Sequence, residues 1–113
     1  METKKAVIVL KTSQRGTKAG NINVASIVSE ITTHCVDKNI EIVGFVIGFS
    51  GANTIQNMVK DLKAFRKHYD YVVVYTPKQV ATSRKEWERF VFEVQSASRC
   101  KVVSLYRVSR NMG

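Results

Sequence analysis

The apolar run over residues 6–10 constrains this chain most strongly, because it ends abruptly in a polar segment over residues 11–18. An unbroken run of Val, Ile and Leu bounded by polar residues is typical of a β-strand that is buried on both faces. Such strands occur in parallel sheets covered by helices, where ligands bind beyond the carboxyl ends of the strands. We therefore expect the polar segment after this run to form part of any binding site.

Three further apolar runs predict three more strands. The second strand, 40–47, is almost wholly apolar and is predicted to be buried on both faces like the first. The third, 70–76, is ended by Pro77, because proline cannot donate a hydrogen bond to a sheet. The fourth is predicted over 101–108. Each run is separated from the next by a segment with a different periodicity.

Apolar residues at spacings of three and four predict helices over 22–39, from 54 to about 68, and from about 83 to 98. The predicted N-caps of these helices are Asn21 or Asn23, Thr54 and Ser83. The order β-α-β-α-β-α-β predicts one α/β domain over residues 1–113. We expect a small three-layer sandwich, with a mostly parallel four-stranded sheet and helices on both faces, of flavodoxin-like type.

The charge of the chain indicates an affinity for polyanions. Eighteen Lys and Arg residues against nine Asp and Glu give a net charge of +9. Such an excess favours association with nucleic acid or with acidic protein surfaces. No apolar run approaches the roughly 20 residues that span a bilayer, and the N-terminus lacks the pattern of a cleaved secretory signal. We expect a cytoplasmic protein without membrane association.

Few residues of this chain suit metal or cofactor chemistry. Cys35 and Cys100 are far apart and form no CxxC, so we expect buried reduced thiols and no metal site. His34 and His68 are predicted at the far edge of the sheet, where they complete no Ser-His-Asp arrangement. No phosphate-binding GxxxxGK[ST] occurs. Flavin binding would rest on residues 12–17 alone, and the loop after the third strand lacks aromatic residues to stack on the ring. No cofactor is expected.

Basic side chains follow the predicted strands at the edge where ligands bind. Acidic residues are scarce there, and three helices begin at this edge with N–H groups that favour phosphate. The candidate phosphate- or DNA-binding residues are Lys11, Arg15, Lys18, Lys78, Arg84 and Lys85.

The segments AVIVLKTSQ, IEIVGFVIGFSG, YDYVVVYTPKQVATS and KVVSLYRV, with helices between them, resemble the catalytic domain of serine recombinases, the resolvase/invertase family. The resemblance covers nearly the whole chain. It implies that Ser13 is the nucleophile, which in that family attacks a DNA phosphodiester and forms a covalent phosphoserine link. The family's arginine two places earlier is Lys11 here, and a lysine lacks the bidentate fork of a guanidinium.

Other positions depart further from the family's pattern. The family has an acidic residue before the SG turn, an arginine after it, and an Asp-Arg-x-x-Arg loop after the third strand. The corresponding residues here are Val46, Ile47 and Gly48, then Ala52, Asn53 and Thr54, then Lys78, Gln79 and Thr82. A serine without a base or clustered guanidinium groups is a poor nucleophile. The chain is also expected to lack the family's long C-terminal helix and DNA-binding domain.

These features favour a catalytically degenerate resolvase-like domain of mobile-element origin, which acts as a DNA- or protein-binding regulatory module. One alternative is an active recombinase core that cleaves and rejoins DNA through Ser13. Another is an antagonist that binds a partner protein without DNA. Self-association is left open by the sequence.

Overall fold

The computed structural model describes residues 3–12, 18–49 and 53–106, with only the backbone described for 18–23. In chain order the elements are β1 (Lys4–Thr12), α1 (Lys18–Asp37), β2 (Ile40–Phe49), α2 (Thr54–Ala64), β3 (Tyr71–Val74), α3 (Pro77–Val80), α4 (Arg84–Ser98) and β4 (Lys101–Ser104). The strands form one parallel sheet in the order β2-β1-β3-β4. This confirms the predicted three-layer α/β architecture.

Strand β1 lies in the interior of the sheet and is buried on both faces, as predicted. Its even-numbered residues, such as Ile8, pack with Ile31 and Cys35 of α1. Its odd-numbered residues, such as Val7, pack on the other face with Phe90 and other side chains of α2 and α4. All five residues of the run 6–10 are fully buried. The alternation of side chains along a strand thus distributes one apolar run between two cores.

Strand β2 differs from its prediction, because it lies at the edge of the sheet and is not buried on both faces. One face packs against α2, where Gly44 and Gly48 allow close approach: an added Cβ would meet the Phe65 ring at the first and Met58 at the second. On the opposite face, Phe45, Ile47 and Phe49 remain about half exposed. An apolar run does not distinguish an edge strand from a central one.

Several element ends also differ from their predictions. Helix α1 begins at Lys18, so Asn21 and Asn23 lie inside it and are not N-caps. Helix α2 ends at Ala64 and not near His68, because Phe65 turns into an extended conformation. The ring of Phe65 then packs edge-on against Tyr69, with 5.7 Å between ring centroids.

Two predictions about α3 and α4 had different outcomes. Pro77 does follow the third strand, but it is the first residue of a short helix, α3, which the sequence did not predict. Proline suits this position because its fixed φ matches a helix and its missing N–H has no intrahelical partner there. Ser83 caps α4 as predicted, and its hydroxyl accepts a hydrogen bond from the Glu86 N–H at 3.2 Å.

The two cysteines are free and buried, as predicted. Cys35 belongs to the core between the sheet and α1, and Cys100 to the core between the sheet and the helices α2 and α4. Burial raises the pKa of both thiols. The sheet therefore separates two weakly reactive thiols.

Asp70 joins the amino ends of β1 and β3. Its carboxylate accepts a hydrogen bond from the Lys5 N–H at 2.9 Å and lies 3.0 Å from Nε2 of His68. Its own N–H donates to the Lys5 carbonyl at 2.8 Å. The hydrogen bond from Lys5, with a smaller contribution from His68, lowers the pKa of Asp70.

This lowered pKa predicts a pH dependence of stability. The Asp70 contribution is present above the unfolded carboxyl pKa of about 3.9 and is lost as the pH falls through the lower folded value. Asp70→Asn should therefore flatten the acid limb of the free energy of unfolding against pH, measured by urea titrations at a series of pH values. Asp61→Asn, at an exposed carboxylate of α2, is the control. Equal acid limbs in wild type and Asp70→Asn would contradict the assignment.

Candidate phosphate-binding cleft

The carboxyl end of β1 is held by the side chain of Gln79. The Lys11 N–H donates to Oε1 of Gln79 at 3.0 Å, and Nε2 of Gln79 donates to the Lys11 carbonyl. The pairing of β1 with β3 covers Ala6 to Ile8 only. The amide of Gln79 therefore takes the place of a neighbouring strand beyond that point and fixes the backbone from which Lys11 projects.

Gln79 is itself fixed by the first turn of α3. Its N–H donates to the Thr76 carbonyl at 3.1 Å and to the Thr76 hydroxyl at 3.2 Å. Thr76 is the N-cap of α3, and Pro77 begins the helix. The short helix that the sequence did not reveal is thus the element that positions the end of β1.

The first turn of α2 forms the second wall of the cleft. Asn53 precedes this helix in a left-handed conformation, with φ of 66° and without a side-chain cap. Asn tolerates such backbone angles better than most residues. Thr54, the predicted cap, instead donates its hydroxyl to the Phe49 carbonyl at 2.6 Å and so joins α2 to the end of β2. The positive end of the α2 dipole faces the cleft and favours an anion.

The start of α4 forms the third wall. Glu86 accepts a hydrogen bond from the Thr82 N–H at 3.0 Å, which completes a capping arrangement with Ser83. Arg89 lies one turn further along and forms a partly exposed ion pair with Glu93, with 3.6 Å between Nε and Oε1. Exposed pairs of this kind contribute little to stability, so the Arg89 guanidinium can exchange Glu93 for another anion.

These three walls enclose a cleft of about 460 Å³. Its described lining residues are Lys11, Asn53, Thr54, Ile55, Gln56, Thr82, Glu86 and Arg89. The lining brings together one ammonium, one guanidinium, a helix N-terminus and several hydroxyl and amide groups. Phosphate oxygens are acceptors that such donors bind well. The carboxylate in the cleft, Glu86, is engaged by Thr82.

The predicted site residues fall into three groups. Lys11 lines the cleft. Lys78 on α3 and Arg84 and Lys85 in the first turn of α4 are exposed outside the described lining, and Nε of Arg84 lies 3.2 Å from Oε1 of Glu88. Ser13 and Arg15, and also the side chain of Lys18, lie outside the described residues, so their roles stay predictions.

The sequence analysis missed Arg89 and the structural role of Gln79. Arg89 follows Glu86 by three residues on the polar side of α4, next to the apolar stripe that contains Phe90. Helical spacing from the Ser83 cap places Glu86 and Arg89 on one face, and that signal was available in the sequence. Gln79 carried no comparable signal, because its partners are backbone atoms 68 residues away.

The part of the chain that is described also bears on metal binding, on the position of His68 and on membrane crossing. There, no group of three or more His, Cys, Asp or Glu side chains is arranged to hold a metal ion. His68 lies beside Asp70 at the amino edge, away from the cleft, as predicted. None of the described helices has the length and apolar character needed to cross a membrane.

Comparison with known proteins identifies the fold. No protein-family model matches the chain, and no curated protein matches it in sequence. Among solved structures, a resolvase family site-specific recombinase from Streptococcus pneumoniae superposes with a TM-score of 0.73 and 14% identity, over 90% of this chain and 72% of that one. The C-terminal catalytic domain of ISC1926 TnpA, an IS607-like serine recombinase, superposes with a TM-score of 0.68 and 11% sequence identity. This match covers 96% of this chain and 71% of that one.

The chain therefore has a resolvase-like α/β fold, shared with serine recombinase catalytic domains. The similarity covers nearly all of the chain, which confirms at the level of fold the resemblance seen in the sequence. Identities of 11–14% carry no assignment of activity.

Proposed function

We propose that this resolvase-like domain binds the DNA backbone at the cleft beside Lys11 and acts as a regulatory module that does not cleave the strand. The observation that carries the proposal is the position of Lys11 and Arg89 around the first turn of α2. A phosphate in the cleft meets two cations and a helix dipole of favourable sign. The net charge of +9 adds a long-range attraction for the same partner.

The exposed cations near the cleft extend this surface. Lys78, Arg84 and Lys85 lie at the starts of α3 and α4, the edge of the sheet on which β1 also ends. A duplex presents phosphates at regular intervals, so a second and third contact beyond the cleft is expected for a bound backbone. Arg15 and Lys18 are predicted to contribute to the same surface.

The hydrogen bonds of the cleft support a binding role over catalysis. Two of the positions where the family's Asp-Arg-x-x-Arg loop would fall carry Gln79 and Thr82, which are engaged with Lys11 and Glu86. Gly48, one of the positions before the SG turn, packs against Met58, so an acidic side chain at this position would require the Met58 side chain to move. Phosphoryl transfer needs clustered positive charge around the reacting phosphate. The described lining supplies one lysine and one arginine.

A salt series with a matched pair of variants tests the proposal. Each phosphate contact adds about 0.9 to the slope of log affinity against log salt concentration. Lys11→Ala/Arg89→Ala should therefore weaken binding to mixed-sequence duplex DNA and lower that slope by about 2. Lys60→Ala/Lys63→Ala removes two exposed lysines of α2 outside the cleft lining, so it controls for net charge.

Two results would overturn this proposal. The first is an absence of DNA binding at low salt, which would direct attention to the antagonist hypothesis and a protein partner. The second is an equal loss of binding in both double variants, which would mean that the cleft has no special part in recognition. Fluorescence anisotropy with a labelled duplex measures both.

The two solved structures compared above are recombinases, which favours strand cleavage as the second candidate function. It requires a covalent link between Ser13 and a DNA phosphate. Incubation with supercoiled DNA followed by denaturing electrophoresis should show no such species if the domain only binds. A covalent species that disappears in Ser13→Ala would replace the binding proposal with catalysis.

A further inference from the structure

The two edges of the sheet are protected very differently. Strand β4 has four residues and begins with an exposed lysine, Lys101. The N–H of Val102 donates to Oε1 of Gln95 at 3.0 Å, so a side chain already occupies part of this edge. Strand β2 has ten residues, and β1 is its one strand partner in the described sheet. Short length, lysines and side-chain covers are the usual means of preventing edge-to-edge pairing.

Strand β2 is less protected over residues 42–49, where within the described part of the chain a side-chain hydrogen bond is found only at the Phe49 carbonyl, which accepts from the Thr54 hydroxyl. Residues 42–49 contain no charged residue and no proline. A bulge opposite Ala6 and Val7 precedes a regular run in which Ile8, Leu10 and Thr12 pair with Phe45, Ile47 and Phe49. These last three side chains lie on the α1 side of the sheet with exposed fractions of 47%, 46% and 54%. A regular apolar edge of this length is a template for another strand.

We propose that β2 pairs antiparallel with β2 of a second copy of this chain, around a twofold axis, to form a continuous eight-stranded sheet. A partner for this edge has to offer extended backbone with complementary N–H and C=O groups. A head-to-tail arrangement would need β4 as that partner, and Gln95 already occupies its edge. Pairing of β2 with β2 uses the same surface on both copies and therefore closes as a dimer.

Charge favours the same location. Two copies with a net charge of +9 each repel over most of their surfaces. The uncharged run 42–49 is where they approach at the least electrostatic cost. Pairing also places the exposed side chains of both copies on one face, where aromatic and aliphatic cross-strand pairs form.

The area available indicates a reversible dimer. A large apolar side chain buries about 150–250 Å² in full, so three half-exposed ones contribute roughly 300 Å² per copy and about 600 Å² in total. A stable interface buries about 1,200 Å² or more, so these apolar side chains alone supply about half of that area. The dimer fraction is therefore expected to rise with protein concentration.

Sedimentation velocity without DNA tests the interface independently of the proposed function. The wild-type protein should shift from monomer to dimer with concentration, and Ile47→Lys should lower the association constant at least tenfold. Phe92→Lys is the matched control, because Phe92 is an apolar residue of α4 that is 70% exposed. A wild-type protein that stays monomeric at all concentrations overturns the proposal. So does a dimer that Ile47→Lys leaves intact.

Cysteine cross-linking provides a second measurement that does not depend on folding stability. Phe45→Cys, Ile47→Cys and Phe49→Cys place a thiol along the proposed interface, and the native cysteines are buried. The three variants are oxidised singly and as equimolar pairwise mixtures, and the positions that face each other across the twofold axis should form a disulfide-linked dimer, because directly paired residues bring their Cβ atoms within about 5.5 Å. Absence of linked dimer in all single variants and all mixtures, or equal linkage in Phe92→Cys, contradicts the arrangement.

Discussion

Replacement of Phe90 by alanine is expected to lower the free energy of unfolding by about 3–5 kcal/mol. Phe90 is fully buried in the core between the sheet and the helices α2 and α4. Its ring stacks on Trp87 with 5.7 Å between centroids and also belongs to the cluster that contains Val7 and Val72. Truncation removes these contacts and leaves a cavity between helix and sheet.

The same helix provides a control for this prediction. Phe92 lies two residues further along α4 and is 70% exposed. Phe92→Ala makes the same Phe-to-Ala change in the same helix but removes little buried surface. We therefore expect it to lower the free energy of unfolding by less than about 0.5 kcal/mol. Urea denaturation followed by circular dichroism measures both. Similar losses in the two variants would contradict the assignment of Phe90 to the core.

Gln79→Leu is expected to lower the free energy of unfolding by about 2–3 kcal/mol. The side chain of Gln79 donates to the carbonyl of Lys11 and accepts from its N–H. Leucine fills a similar volume but leaves both backbone groups without this partner in a half-buried position. An unsatisfied buried polar group costs about 1–3 kcal/mol. Partial access of water to the Lys11 N–H and C=O groups makes the total cost smaller than twice the full penalty.

Gln95 provides a control, because the same substitution, Gln→Leu, can be made at a glutamine with fewer hydrogen bonds. Gln95 accepts one hydrogen bond, from the Val102 N–H at 3.0 Å, and is exposed. Gln95→Leu should cost about 1 kcal/mol or less. The difference should also appear in local dynamics, since Gln79→Leu is expected to speed hydrogen exchange of the Lys11 amide. Equal effects of the two substitutions would mean that Gln79 does not hold the end of β1.

The sequence was sufficient for the architecture because local patterns and the sheet agree. The run 6–10 is apolar at every position. A strand that is buried on both faces needs apolar side chains at all of its positions, and all five of these residues are buried. The Ser83 cap was predicted because a hydroxyl before an apolar stripe satisfies helix N–H groups, and its hydrogen bond to Glu86 is formed. These features depend on residues close together in the chain.

The misassigned features depend on strand order and on distant contacts. The run 40–47 has the same apolar character as the run 6–10, but β2 lies at the edge and exposes Phe45 and Ile47. Strand order follows from how the helices cross the sheet, and composition does not encode it. The early end of α2 likewise arises from tertiary contacts: Phe65 packs on Tyr69, whose hydroxyl donates to the Leu62 carbonyl at 2.8 Å.

The candidate site was predicted in part. Lys11 was expected at the carboxyl edge of the sheet, and it lines the cleft there. Arg89 was missed because it lies beyond the first turn of α4, where the candidate cations Arg84 and Lys85 are found. Gln79 was named among the residues that follow the third strand without a structural role, whereas its hydrogen bonds to Lys11 make it a structural residue of the site.

The separation of Cys35 and Cys100 by the sheet has a practical consequence for studies of motion in this domain. A thiol reagent reaches a buried cysteine only when the layer above it opens. Cys35 is a residue of α1 buried in one core, and Cys100, between α4 and β4, is buried in the other, so their labelling rates report two separate opening reactions. The chain thus carries one native reporter in each half of its interior, and single Cys→Ala variants would allow each to be followed alone.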